Sequence, residues 1–183
     1  MKQQKKQLIL AVSGVKNSGK TTLIASLLPE LKKKNLKVAV IKHDGHEFDA
    51  DVPGTDTWKF GEAGACGTLV FSRTKYMMVK YQPAPEVNEL VSCFPEADII
   101  LLEGFKYSEY PKIEVVRRGN SSKSVCDPRF LLGIVTDLTE EELRYEDDIQ
   151  TASKRAEIPL FGLDETELLA EWICRLWRNE TGQ

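Results

Sequence analysis

The 183-residue chain has no apolar stretch approaching the ~18 residues of a membrane-spanning helix, which speaks against a membrane protein. Basic residues do open it (Lys2, Lys5 and Lys6). The apolar segment after them, Leu8–Val12, is shorter than the roughly 7–15 residues of a secretion signal, and Gly-Lys-Thr follows where a cleavage site would fall. A cytoplasmic protein is the expectation. Cysteine is scarce: Cys66, Cys93, Cys126 and Cys174 are scattered and form no C-x-x-C pair. Idle thiols in a reducing compartment fit this better than a disulfide framework or a zinc site. Neither charge sign dominates, with 25 Lys and Arg against 28 Asp and Glu for a net charge of −3. That leaves no sequence-wide basic field for nucleic acid. At 42% hydrophobic and 29% charged residues the composition is that of a folded protein, and the length suits a single domain across residues 1–183.

What is present is an alternation of strand-like and helix-like segments. Leu8–Ser13 is a compact apolar run. In the next segment, Thr21–Lys34, Leu23, Leu27, Leu28 and Leu31 recur at helical spacing and lysines crowd the last turn. Val38–Ile41 completes a β-α-β unit. Further strands are predicted at Thr68–Ser72, Tyr76–Tyr81, Ile99–Leu102, Ile113–Val116, Leu131–Thr136 and Leu160–Gly162. Arg73-Thr74-Lys75 reads as a hairpin connection that introduces an antiparallel element. Helices are predicted at Glu86–Cys93, Glu140–Leu143, Asp147–Ala156 and Glu165–Arg178, the last packing Leu168, Leu169, Trp172, Ile173 and Leu176 into the core. Residues 43–66 lack periodicity and read as a long functional loop. The fold class expected is α/β, a mainly parallel sheet flanked by helices with an antiparallel hairpin.

Gly14-Val15-Lys16-Asn17-Ser18-Gly19-Lys20-Thr21 matches G-x-x-x-x-G-K-[ST], the phosphate-binding P-loop, and sits between a strand and a helix as its mechanism requires. Backbone N–H groups and the helix N-terminus attract the anion. Lys20 is expected to reach the β- and γ-phosphates and the Thr21 hydroxyl to bind Mg²⁺. A P-loop needs a second carboxylate near the metal, and Glu103, directly after the apolar run Ile99–Leu102, is the candidate, either acting through a metal-bound water or serving only as an edge carboxylate. Asp44, at the end of the second strand, is a further Mg²⁺ candidate or a plain loop acid. His43 and His46, with Cys66, have the types but not the number of firm ligands for a transition metal. Thr136-Asp137 resembles the tail of the guanine-reading [NT]-K-x-D motif, but Val135 stands where its lysine would be, so Asp137 is either a guanine reader or a helix cap.

Beyond the P-loop, Ile41-Lys42-His43-Asp44-Gly45-His46, Asp51-Val52-Pro53-Gly54-Thr55-Asp56-Thr57 and Ala63-Gly64-Ala65 resemble the MobB family of molybdopterin-guanine dinucleotide biosynthesis adaptor proteins. Leu101–Phe105 and Lys112–Arg117 fit the same family. The similarity runs from about residue 8 to 137, and the D-x-P-G-x-D block is its specific part. The resemblance implies a P-loop protein that binds GTP with Mg²⁺, hydrolyses it weakly, forms a homodimer and works with the molybdopterin guanylyltransferase that joins GMP to molybdopterin. Molybdopterin itself is a further candidate ligand. Carried over by residue, Gly14 to Thr22 (Asn17, Ser18, Gly19, Lys20, Thr21 and Thr22 among them) form the phosphate loop. Asp51, Pro53, Gly54 and Asp56 form a switch-like loop, and Glu103 is the strand-end acid. Lys16 does not occupy the second P-loop position, where dimerising ATPases of this class carry their signature lysine. Two other readings compete: a small-molecule kinase whose acceptor sits in the 43–66 loop, and a metallochaperone GTPase using His43 and His46, with Cys66 as a further candidate ligand. The aromatics Phe48, Trp58 and Phe60 suit either a docking surface or packing onto the sheet.

Overall fold

The computed structural model describes residues 6–144 and 158–182. In chain order the strands are β1 (Leu8–Ser13), β2 (Val38–Lys42), β3 (Gly67–Phe71), β4 (Tyr76–Lys80), β5 (Ile99–Glu103), β6 (Lys112–Val116), β7 (Leu131–Thr136) and β8 (Leu160–Phe161). The helices are α1 (Lys20–Lys33), α2 (Asp56–Glu62), α3 (Val87–Val91) and α4 (Thr166–Thr181). Residues 44–89 form one compact unit and the other described residues another.

The larger unit holds a six-stranded sheet in the order β2-β5-β1-β6-β7-β8, and every neighbouring pair is parallel. Strands buried on both faces need apolar residues at consecutive positions. That is what Leu-Ile-Leu-Ala-Val and Ile-Ile-Leu-Leu supply in β1 and β5. Leu23, Ile24, Leu27 and Leu31 of α1 and Leu169, Ala170, Ile173 and Cys174 of α4 close over Leu8, Leu10, Val12, Ile99 and Leu101. Each large apolar side chain so buried contributes about 1.5–3 kcal/mol. A second cluster, Val116, Cys126, Leu131, Ile134 and Leu143, lies beside β6 and β7.

The smaller unit holds the antiparallel β3–β4 hairpin, with Leu69 opposite Met78 and Phe71 opposite Tyr76, and the helix α2. The hairpin is its own two-stranded sheet and adds no antiparallel strand to the main one.

Four expectations change. Residues 43–66 are not loop throughout, because α2 forms there: the Thr55 hydroxyl caps it by accepting from the Trp58 amide at 3.4 Å. Glu140–Leu143 is a turn rather than a helix, closed by the Glu142 and Leu143 amides on the Thr139 carbonyl. The helix predicted at Glu86–Cys93 is shorter, Val87–Val91. On α4, Leu168 is 47% exposed, since the buried stripe runs through Leu169, Ala170, Ile173 and Cys174 at i, i+1, i+4 and i+5. The helix predicted at Asp147–Ala156 lies outside the described residues.

Candidate nucleotide-binding site

The P-loop leaves β1 at Ser13 and enters α1 at Lys20, so its backbone turns back across the sheet's C-terminal edge. Two glycines make that path possible for different reasons. Gly14 has φ +136°, and a β-carbon there would lie 2.5 Å from the Val115 carbonyl oxygen and 2.9 Å from Ser18 Oγ, so no side chain fits. Gly19 has φ +99° but open surroundings, so its requirement is conformational. Asn17 takes the left-handed conformation as well, at φ +61°. Ser18 is buried and its hydroxyl has no partner among the described residues.

Lys20 Nζ donates to the carbonyls of Val15 at 2.7 Å and Gly14 at 3.4 Å. Burial lowers the Lys20 pKa below its ordinary value. Glu103 opposes that shift, and the like charges of Lys106 and Lys42 add to it. The Thr21 hydroxyl donates to Glu103 Oε1 at 2.6 Å, and Lys42 Nζ lies 3.8 Å from the same oxygen. Glu103 ends β5 and β5 pairs with β1, so the parallel register delivers the carboxylate to the start of α1. Behind the loop, Ser13 Oγ donates to the Gly104 carbonyl at 2.5 Å. Thr22 follows on the first turn of α1 and is exposed.

The other expected site residues fall in two places. Asp137 follows β7, and its Oδ1 accepts the Arg118 amide at 2.6 Å. The Arg118 guanidinium is in turn paired with Glu142, with Nη2 2.6 Å from Oε2. In the smaller unit, Asp44 Oδ1 accepts the His46 amide at 3.3 Å. Asp51 caps its own loop, accepting the Val52 amide at 2.8 Å and the Thr55 hydroxyl at 3.0 Å, and the hydrogen bond from Thr57 is the largest of the effects holding its pKa below the usual carboxylate range. Gly54 has φ +91°, and Asp56 begins α2 paired with Lys59 at 3.4 Å. Among the described residues no group of three His, Cys, Asp or Glu side chains is placed to hold a metal ion, so His43, His46 and Cys66 do not assemble one.

Residue patterns gave no role to two charged side chains buried in β6. Lys112 is wholly buried, donates to the carbonyls of Ser108 and Lys106, and lies 5.5 Å from the Phe130 ring centre. Burial pushes its ammonium pKa down, partly offset by Cys126, Asp127 and Glu114. Glu114 accepts the Ser124 hydroxyl at 2.5 Å and the amides of Val125 at 2.8 Å and Cys126 at 3.3 Å. Together they fasten the loops that flank the P-loop end of the sheet. The signal was two charges inside an otherwise apolar strand.

The family model of Molybdopterin guanine dinucleotide synthesis protein B, MobB, matches residues 9–137. The chain belongs to the MobB family. The molybdopterin-guanine dinucleotide biosynthesis adapter protein of Haemophilus influenzae is 31% identical over 131 residues, covering 70% of this chain and 74% of that protein. The protein of the same name from Escherichia coli is 26% identical over 181 residues, 95% of each chain. Among solved structures, a crystal structure of molybdopterin-guanine biosynthesis protein B superposes with a TM-score of 0.64 at 27% identity, covering 93% of this chain and 99% of that one. Bacillus subtilis MobB superposes with a TM-score of 0.66 at 24% identity over 92% and 96% of the two chains, which speaks to the fold. The P-loop and the strand-end acid therefore lie within the stretch that the family shares.

Proposed function

We propose that the protein is a GTP-binding adaptor with weak GTPase activity that assists attachment of GMP to molybdopterin in molybdenum cofactor biosynthesis. The observation that carries the nucleotide part is the 2.6 Å pairing of Thr21 with Glu103 at the mouth of a complete P-loop. A hydroxyl and a carboxylate side by side are oxygen donors suited to a hard cation, so the residues fit Mg²⁺. Bound there, Mg²⁺ would neutralise charge on the β- and γ-phosphates. Gly14, Asn17, Ser18, Gly19, Lys20, Thr21 and Thr22 form the phosphate cradle in this reading. Asp137 faces the base, and Asp44, Asp51, Gly54 and Asp56 form the nucleotide-responsive segment.

The pathway part rests on family membership and on the names of the relatives. The proposed partner is the molybdopterin guanylyltransferase, in the cytoplasm. No helix among the described residues is long and apolar enough to cross a membrane. Homodimerisation is supported by the hairpin, whose Leu69, Phe71, Tyr76 and Met78 share one face and are 54%, 78%, 67% and 48% exposed. A two-stranded sheet with two open edges is marginal alone and gains from a second copy.

The test is nucleotide binding by the purified chain. Wild type should bind GTP in preference to ATP, more tightly with Mg²⁺. Lys20→Ala should lose about tenfold or more, given ~1.5–3 kcal/mol for a charge-assisted hydrogen bond. Equal affinity in a folded Lys20→Ala variant would remove the assignment.

A further inference from the structure

The geometry points to Arg117 as a second phosphate-binding cation, on the side of the P-loop away from the metal; this rests on the GTP-binding reading above. Arg117 is the first residue beyond β6, and β6 pairs in parallel with β1, so both strands release their chains at the same edge of the sheet. The Arg117 guanidinium therefore stands beside the P-loop, where a β-carbon built on Gly19 would lie 3.9 Å from Arg117 Nη1. The segment that carries it is strapped across the loop. The Asn120 and Ser121 amides close a turn on the Arg117 carbonyl, and Asn120 Nδ2 donates to the Lys16 carbonyl at 2.9 Å.

Two adjacent arginines have opposite fates. Arg118 is spent: its side chain pairs with Glu142 and also donates to the Asp137 carbonyl. Arg117 is exposed and, among the described residues, meets no carboxylate. Its neighbours carry the same sign, because the N-terminus of α1 is the positive end of the helix dipole and Lys20 lies on its first turn. Glu103 offsets part of this charge at Lys20, but among the described residues no carboxylate meets the Arg117 guanidinium, so the ammonium, the helix N-terminus and the guanidinium together favour an anion beside the P-loop. A polyphosphate is the ligand that satisfies all three, and arginine's planar fork suits phosphate oxygens.

Topology also says which part of the polyphosphate Arg117 meets. β1 lies between β5 and β6. Glu103, the metal-side acid, ends β5, whereas Arg117 follows β6, so the two flank the P-loop from opposite sides. Mg²⁺ held by Thr21 and Glu103 would neutralise charge towards the γ-phosphate end, and the P-loop amides near the helix start would cradle the α- and β-phosphates. Arg117 therefore serves the α/β end and acts independently of Mg²⁺.

The experiment is titration of the full chain and of Arg117→Ala and Arg117→Gln with GTP, GDP and guanosine, in Mg²⁺ and in EDTA. Urea midpoints matching wild type identify the folded variants, and Arg117→Lys supplies a third that keeps a positive charge. Both neutral variants should lose about tenfold for GTP and GDP alike, with and without Mg²⁺, and nothing for guanosine; Arg117→Lys should lose less. Unchanged GDP affinity, or a loss confined to GTP with Mg²⁺, would overturn the proposal while leaving the GTP-binding reading intact. Failure of the wild type to bind GTP would overturn that reading first.

Discussion

Removing the Glu114 carboxylate leaves the Ser124 hydroxyl and the Val125 and Cys126 amides without their acceptor in a site closed to water. Glu114→Ala should therefore cost about 3–5 kcal/mol, read from urea unfolding, and Glu114→Gln less because its amide oxygen still accepts. A surface carboxylate behaves otherwise. Hydrogen bonds from Arg118 and the Thr139 amide hold the Glu142 pKa at about 2, below its ordinary 4.5. A lowered folded-state value means that stability is present above pH 4.5 and is lost as pH falls towards 2. Urea unfolding at stepped pH should show that loss in wild type and a flatter profile in Glu142→Gln. At this level the sequence was legible where chemistry is local. Lys20 and Thr21 belong to one motif, and Glu103 announced itself as an acid ending an apolar run. Arg117, Asn120 and Glu114 were not, because their meaning depends on β6 lying against β1. The Asn120–Lys16 contact joins residues 104 positions apart.

The strands were readable because a parallel sheet buried on both faces demands unbroken apolar runs, and five of the six in the main sheet have them. β6 departs only at Lys112 and Glu114. The short helix α2 was not readable. It buries no residue, so it has no apolar stripe, and the Thr55 cap was its one signal. The stripe on α4 was placed one residue off because Ala170 and Cys174 look less like core residues than Leu168 does. For the smaller unit the outcome for the aromatics is mixed: Phe48 and Phe60 are 73% and 59% exposed, whereas Trp58 is half-buried. If this segment docks on the guanylyltransferase, capture of that enzyme should fall in a Phe48→Ala/Phe60→Ala variant and should differ with and without GTP. Equal capture in all four conditions would leave the segment without a docking role.

Across the whole molecule, the four thiols divide evenly. Cys66 and Cys93 are exposed, whereas Cys126 and Cys174 are buried, and burial with Glu114 nearby pushes the Cys126 pKa up to about 12. A chromogenic thiol reagent at pH 8 should count two groups at once in the native protein and four in denaturant. Early release of Cys126 would show that the Glu114-anchored loop opens before the rest. The strand order also dictates when the protein becomes itself during translation. β1 emerges early, yet both its neighbours, β5 and β6, lie about ninety or more residues further along the chain. At ~5–20 residues per second the ribosome needs about 5–20 s to supply even the nearer of them. Until then β1 is an apolar segment with two unpaired edges, dependent on α1 or a chaperone for cover, and the cradle that follows it has no walls. Pairings so distant make for slow folding. A nucleotide bound as proposed above would therefore be a ligand of the finished sheet, and it would act as a late selector of chains that have closed correctly.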